Sequence, residues 1–164
     1  MNDDLSAYQN YRGPKPPQIE QTKYILSLAA QESIKHGDYI AAARKKLEVA
    51  HICRRQGKDQ DRHLLETAAY ELIQNAAHKQ GLYLEAAKAL RDWASKLRAD
   101  GFKDGAFLMD TSAYDLIQKA AHKNGQRVEA AKALRDWASK LRADGLERDA
   151  YLMDTSASKL ARGL

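Results

Sequence analysis

Only one cysteine, Cys53, occurs in these 164 residues, so no disulfide can close within the chain. That usage fits a reducing compartment. Proline is confined to Pro14, Pro16 and Pro17, so nothing beyond Pro17 forces a helix to kink or stop. No run of about 18 apolar residues exists, and no membrane span is expected. The first residues carry neither a basic start nor an apolar stretch, so no secretory signal is expected. Together these absences lead to the expectation of a cytoplasmic protein. Strand-like alternation and β-branched enrichment are missing as well. No glycine-rich phosphate loop occurs. None of the five histidines, His36, His51, His63, His78 and His122, stands four residues from another as zinc-binding helices require.

What is present favours helix. Alanine is abundant beside Leu, Lys, Arg, Asp and Glu, residues that lose little on entering one. Apolar residues make up 44% and charged residues 30%, enough for one sizeable core. The net charge of +5 comes from 27 basic and 22 acidic residues, interspersed along the chain. Residues 1–17 are polar and lack helical periodicity. They read as a flexible arm, in which Tyr8 and Tyr11 make a short recognition segment conceivable.

The dominant feature is an internal repeat. Glu85–Gly101 reads EAAKALRDWASKLRADG, and Glu129–Gly145 reads the same, 44 residues later. The match extends left to Thr67 and Thr111, with 28 of 35 positions identical. Gly37, Gly81 and Gly125 share the spacing, and Ala150–Ala157 echoes Ala106–Ala113. A fixed offset of this size marks stacked helical repeats, which build extended surfaces for partners more readily than closed catalytic pockets.

Glycines punctuate seven helical patterns. The expected helices cover about 18–36, 39–55, 61–79, 83–99, 104–123, 127–143 and 147–161. The first six end at Gly37, Gly57, Gly81, Gly101, Gly125 and Gly145, residues suited to the left-handed cap. Basic residues in several last turns, His78 with Lys79 and His122 with Lys123 among them, oppose the negative end of the helix dipole. In the fourth helix Ala86, Leu90, Trp93 and Leu97 form an apolar stripe, widened by Ala89 and Ala94. Trp93 and Trp137 sit in that stripe, where packing explains them better than ligand stacking. The predicted fold is all-α: a right-handed α-solenoid of stacked antiparallel hairpins. Three pairs (about 18–57, 58–101 and 102–145) and a capping helix (146–162) form one domain over 18–164.

Gly37-Asp38-Tyr39-Ile40-Ala41-Ala42-Ala43 resembles the tetratricopeptide repeat at the turn into its second helix. Gly81-Leu82-Tyr83-Leu84-Glu85-Ala86 resembles it again, and Gly125–Ala130 more loosely. Tyr70 with Ile73, and Tyr114 with Ile117, fall at the family's first-helix aromatic and leucine. Gln74 and Gln118 replace its small residue, Arg98 and Arg142 stand at its usual proline, and the unit has 44 residues rather than 34. The resemblance implies peptide or protein binding on a concave face made by the first helices. By alignment that face comprises Ser27, Gln31, Ile34 and Lys35, then Glu71, Asn75, His78 and Lys79, then Asp115, Lys119, His122 and Lys123. Asn75, Lys79, Lys119 and Lys123 suit a carboxylate or acidic peptide.

Other candidates are weaker. Arg54 and Arg55 beside Cys53 would lower its pKa, but a lone helical cysteine reads as packing. Asp110-Thr111-Ser112 and Asp154-Thr155-Ser156 recur in register, as structural residues do, and no base is placed beside them. No catalytic set, cofactor or metal site is expected. The leading expectation is a non-catalytic scaffold or adaptor for a protein segment. The alternatives are a nucleic-acid-binding repeat, through Lys88, Arg91, Lys132 and Arg135, and a self-assembling or engineered structural array.

Overall fold

The computed structural model describes residues 16–164, with side chains from Gln18 onward. The arm carrying Tyr8 and Tyr11 lies outside the described residues. Among the described residues are seven helices and no strand: α1 (Pro16–Lys35), α2 (Tyr39–Arg55), α3 (Asp59–Gln80), α4 (Tyr83–Ala99), α5 (Lys103–Lys123), α6 (Arg127–Ala143) and α7 (Glu147–Ala161). Four of them have the expected bounds. The helix α1 begins at Pro16, two residues before the expected start. Proline is tolerated in a first turn because the first amides have no helical acceptor. Likewise α3 starts at Asp59, and its first turn holds Asp59 and Asp61 at the positive end of the helix dipole.

Local chemistry sets the helix ends. Gly101 and Gly145 have φ of 88° and 79°, a region open to glycine and strained for other residues. The left-handed turn lets Gly101 N donate to Arg98 O at 3.0 Å and Phe102 N donate to Leu97 O at 2.8 Å. Two carbonyls that the helix would leave unpaired are thereby satisfied. At the start of α2, Asp38 Oδ1 accepts from Ala41 N at 3.1 Å. This is the side-chain cap that Gly-Asp-Tyr promises. Leu82 and Gln126 occupy the same place before α4 and α6 and make no such bond.

The chain forms two compact units, one running to Ala76 and the other Ala77–Leu164. Within the first, α1 packs along α2. Within the second, α4 lies extensively against α5 and α6 against α7, while α5 and α6 meet over a smaller area. Tight and loose contacts therefore alternate, as in paired helices. The tight pairs here are α4–α5 and α6–α7, whereas the sequence units grouped α3 with α4 and α5 with α6. Gly105 helps bring α5 onto α4: a Cβ added there would lie 3.4 Å from Leu97 Cδ1.

Alanine fills the closest approaches. Ala86, Ala87, Ala94, Ala130, Ala131 and Ala138 are buried on α4 and α6, and Ala106, Ala113, Ala120 and Ala121 on α5. Leu90, Trp93, Leu97 and their copies Leu134, Trp137 and Leu141 fill the space beside them. No polar or charged residue among those described is fully buried. Such a core should tolerate added bulk badly. Replacing Ala138 by Leu is expected to destabilise the protein by about 1–3 kcal/mol. The same change at exposed Ser139 should stay within about 0.5 kcal/mol. Urea unfolding of the two variants checks this, and equal costs would contradict an alanine-limited approach.

Candidate functional site

The polar row implied by the tetratricopeptide resemblance lies on α1, α3 and α5. Ser27, Gln31, Ile34 and Lys35 are exposed on α1. Ser27 Oγ donates to Lys23 O at 2.8 Å, and Lys35 lies 3.7 Å from Glu32. On α3, Glu71 is exposed and Asn75 half-buried. His78 and Lys79 are exposed at the end of α3, and the His78 ring meets Tyr83 edge-on at 5.7 Å. On α5, Asp115, His122 and Lys123 are exposed, while half-buried Lys119 pairs with Asp115 at 2.8 Å. Of the cations expected to receive a carboxylate, Lys119 is therefore already engaged.

A more regular constellation lies elsewhere. Arg54 Nη2 of α2 donates to Glu66 Oε1 of α3 at 2.7 Å. One repeat on, Arg98 of α4 pairs with Asp110 of α5, and a further repeat on, Arg142 of α6 pairs with Asp154 of α7. Each ion pair joins the last turn of one helix to the next helix in sequence. Exposure of the arginine side chain rises along the series, from 14% to 23% to 42%. Glu66 is held twice, because Arg62 Nη1 also donates to it at 2.8 Å. The signal was present in sequence as an arginine and a carboxylate twelve residues apart, three times over. Aspartate for glutamate in the later copies hid it.

These clamps account for the Asp-Thr-Ser strings. Asp110 and Asp154 hold arginines, and the hydroxyls of Thr111 and Thr155 donate to Phe107 O and Tyr151 O, each at 2.9 Å. Ser156 shares a 3.0 Å hydrogen bond with the Tyr114 hydroxyl. Cys53 is buried at the position of Leu97 and Leu141. Burial pushes its thiol up, against the pull of Lys23 and Lys58, so little thiolate forms near neutral pH. Glu48 and His51 stand three apart on α2, and no group of three metal-ligating residues occurs among those described. No described helix is long and apolar enough to cross a membrane.

Two recesses open in the second unit. One, of about 340 Å³, lies between α4 and α6 with Lys88, Arg91, Asp92, Asp136 and Lys140 on its walls. Arg91 is largely committed there. Its guanidinium lies 5.5 Å from the centre of the Trp137 ring, and Nη1 donates to Ala133 O at 3.2 Å. Lys140 lies 3.6 Å from Asp92. The other recess, of about 430 Å³, lies between α5 and α7 above Trp137 and Leu141 of α6. Phe107, Tyr114, Leu152 and Met153 give it an apolar wall, with Asp110, Asp149 and Lys159 at its polar positions. Both flanking helices carry two exposed large apolar residues in their second turn, in equivalent places, Phe107-Leu108 and Tyr151-Leu152. The sequence reading missed this surface because it took the echo of Ala106–Ala113 in α7 only as a sign of repetition.

In comparison with known proteins, no family model, curated protein or solved structure matches this chain.

The clamps yield two expectations. Glu66→Gln should cost about 1–3 kcal/mol, since it strips charge from two part-buried arginines. Asp154→Asn should cost less than Glu66→Gln, because solvent screens the exposed pair. Urea unfolding decides the order, and a reversed ranking would refute it. The second expectation concerns pH. Burial raises the Asp110 carboxyl above its ordinary 3.8, Asp149 adds to the rise, and Arg98 opposes it. With the folded value above the unfolded one, the stabilisation is complete below pH 3.8 and lost as pH rises through the folded value. As pH rises from below 3.8 through the folded value, the wild type should lose stability relative to Asp110→Asn. Paired chemical-denaturation curves test the sign, and a gap moving the other way would overturn it.

Proposed function

We infer that this chain is a non-catalytic protein-binding module of the tetratricopeptide-like kind, holding a segment of a partner against its first-type helices. The observation that carries this reading is the paired apolar display on α5 and α7. Phe107, Leu108, Tyr151 and Leu152 are exposed in repeat-equivalent positions beside an apolar-walled recess. A hairpin stack does not need these side chains exposed for its own stability. A contiguous exposed apolar surface with a polar rim is the usual mark of an interaction site. A recess of about 430 Å³ has room for one or two side chains of an extended or helical segment.

The polar residues further along α5 would contact a segment that runs on from the recess. Exposed Lys123 and the Asp115–Lys119 pair offer contacts of both signs. An acidic segment is the partner chemistry that Lys79 and Lys123 favour. Nucleic acid receives less support. Arg91 is stacked and bonded, Lys140 is paired, and the recess they line also carries Asp92 and Asp136.

Selection of displayed peptides on the full chain tests the proposal. Recovered peptides should bind the wild type and lose at least about tenfold in affinity to Phe107→Asp or Leu152→Asp, with helicity by circular dichroism unchanged. Lys79→Glu with Lys123→Glu should weaken the acidic members of the set more than the neutral ones. Peptides that bind all variants alike, or none recovered, would refute the assignment.

A further inference from the structure

The helix α1 has two unlike faces. One packs on α2: Ile19 and Ala30 are buried there, and Lys23 Nζ donates to Gln56 Oε1 at 3.0 Å. The opposite face carries Tyr24, Ile25 and Leu28, exposed at 65%, 56% and 47%. At about 100° per residue these three fall within one third of the helix circumference, so they form a single patch.

Comparison between repeats shows what kind of surface this is. One, two and three repeat lengths beyond Ile25 stand Ala69, Ala113 and Ala157, all completely buried. At the same offsets from Leu28 stand Leu72, half-buried, and Leu116 and Leu160, both buried. In α5 these positions face α4. Leu116 lies three turns along the same helical line as Gly105, whose added Cβ would touch Leu97 of α4. In α7 their counterparts Ala157 and Leu160 are buried in the helix that packs along α6. Thus α1 leaves open the surface that α5 and α7 cover with the helix before them.

We propose that the Tyr24–Ile25–Leu28 face of α1 is a docking surface for one amphipathic helix of a partner protein, seated as α4 sits on α5. The substitutions in α1 define that helix. Tyr24 stands where later copies have Ala68, Ser112 and Ser156, and Ile25 where they have alanine. Bulk has moved to the α1 side, so the partner helix must present small residues, alanine or serine, at its centre. Thr22 stands where Glu66, Asp110 and Asp154 hold arginines, and its hydroxyl donates to its own helix at Gln18 O, 2.8 Å away. The partner helix therefore needs no arginine. This disfavours a second copy of the chain as occupant. Its α4 and α6 present Leu90, Trp93 and Arg98, or the equivalent Leu134, Trp137 and Arg142, on helices already packed at home. A single helix on this patch belongs to the small, transient class of interfaces, under about 1,200 Å².

A displayed library of 18-residue amphipathic helices, with Ala, Ser and Leu varied on the apolar face, is the probe, panned on the full chain. Small-centred helices should be enriched and should lose at least about tenfold in affinity to Ile25→Glu with Leu28→Glu. They should be unaffected by Phe107→Asp, which separates this face from the recess on α5 and α7. The double variant should melt like the wild type, because its side chains are already in water. Three results would overturn the proposal: binders indifferent to the double variant, a lowered melting temperature showing the face covered within the chain, or a wild-type dimer that the double variant dissociates.

Discussion

The structure depends on how closely its helices approach. Alanine at the contact positions of α4, α5 and α6 brings backbones together, and leucine and tryptophan beside them close the gaps. A larger residue at one of these sites would push two helices apart along their whole contact, since the helix is stiff. The distance is therefore a property of the pair, while each alanine is only one of its supports. Repetition of the same alanines at a 44-residue offset repeats the distance.

The clamps follow from that spacing. An arginine in the last turn of one helix reaches a carboxylate in the second turn of the next only if the helices lie close and the connection is short. The Gly101 and Gly145 turns supply the short connection, and the alanines supply the closeness. The ion pairs then fix the axial register, which apolar packing alone leaves loosely determined. Their energies are unequal because their solvent exposure is unequal. The same geometry leaves the Asp110 Oδ1 oxygen buried without a hydrogen bond while the other oxygen holds Arg98. That oxygen is why burial outweighs the arginine in shifting the carboxyl.

Much of the fold was legible because its causes are local. Glycine stops, apolar stripes and basic last turns placed α2, α4, α6 and α7 to the residue. The starts of α1 and α3 were misplaced because proline and aspartate read as loop residues, although the first turn accepts both. The pairing of α4 with α5 was not legible, since a 44-residue period has no intrinsic starting point. Where a repeat begins depends on which interface is larger, and that depends on side-chain fit across non-adjacent residues. The candidate recess was illegible for a related reason. Phe107 occupies the place of Ile19, which is buried in α1, so its exposure follows from the looser contact of α5 with α6.

Differences between the two near-identical copies complete the picture. Thr67–Gly101 and Thr111–Gly145 differ at seven positions, and the alanines and leucines of the core are not among them. The changes Glu71 to Asp115, Asn75 to Lys119 and Gln80 to Asn124 fall on exposed or half-buried polar sites. Tyr83, buried against His78, becomes exposed Arg127, and half-buried Leu84 becomes exposed Val128. Variation between copies thus tracks what each copy touches, while the packing string stays constant. The 17-residue packing string is kept whole, and the differences cluster at the end of the first helix of each copy and the start of the second. The Glu71–Asp115 and Asn75–Lys119 differences make the two copies chemically unlike at polar sites, and the Tyr83–Arg127 difference shows that a buried aromatic is needed in one copy and not in the other.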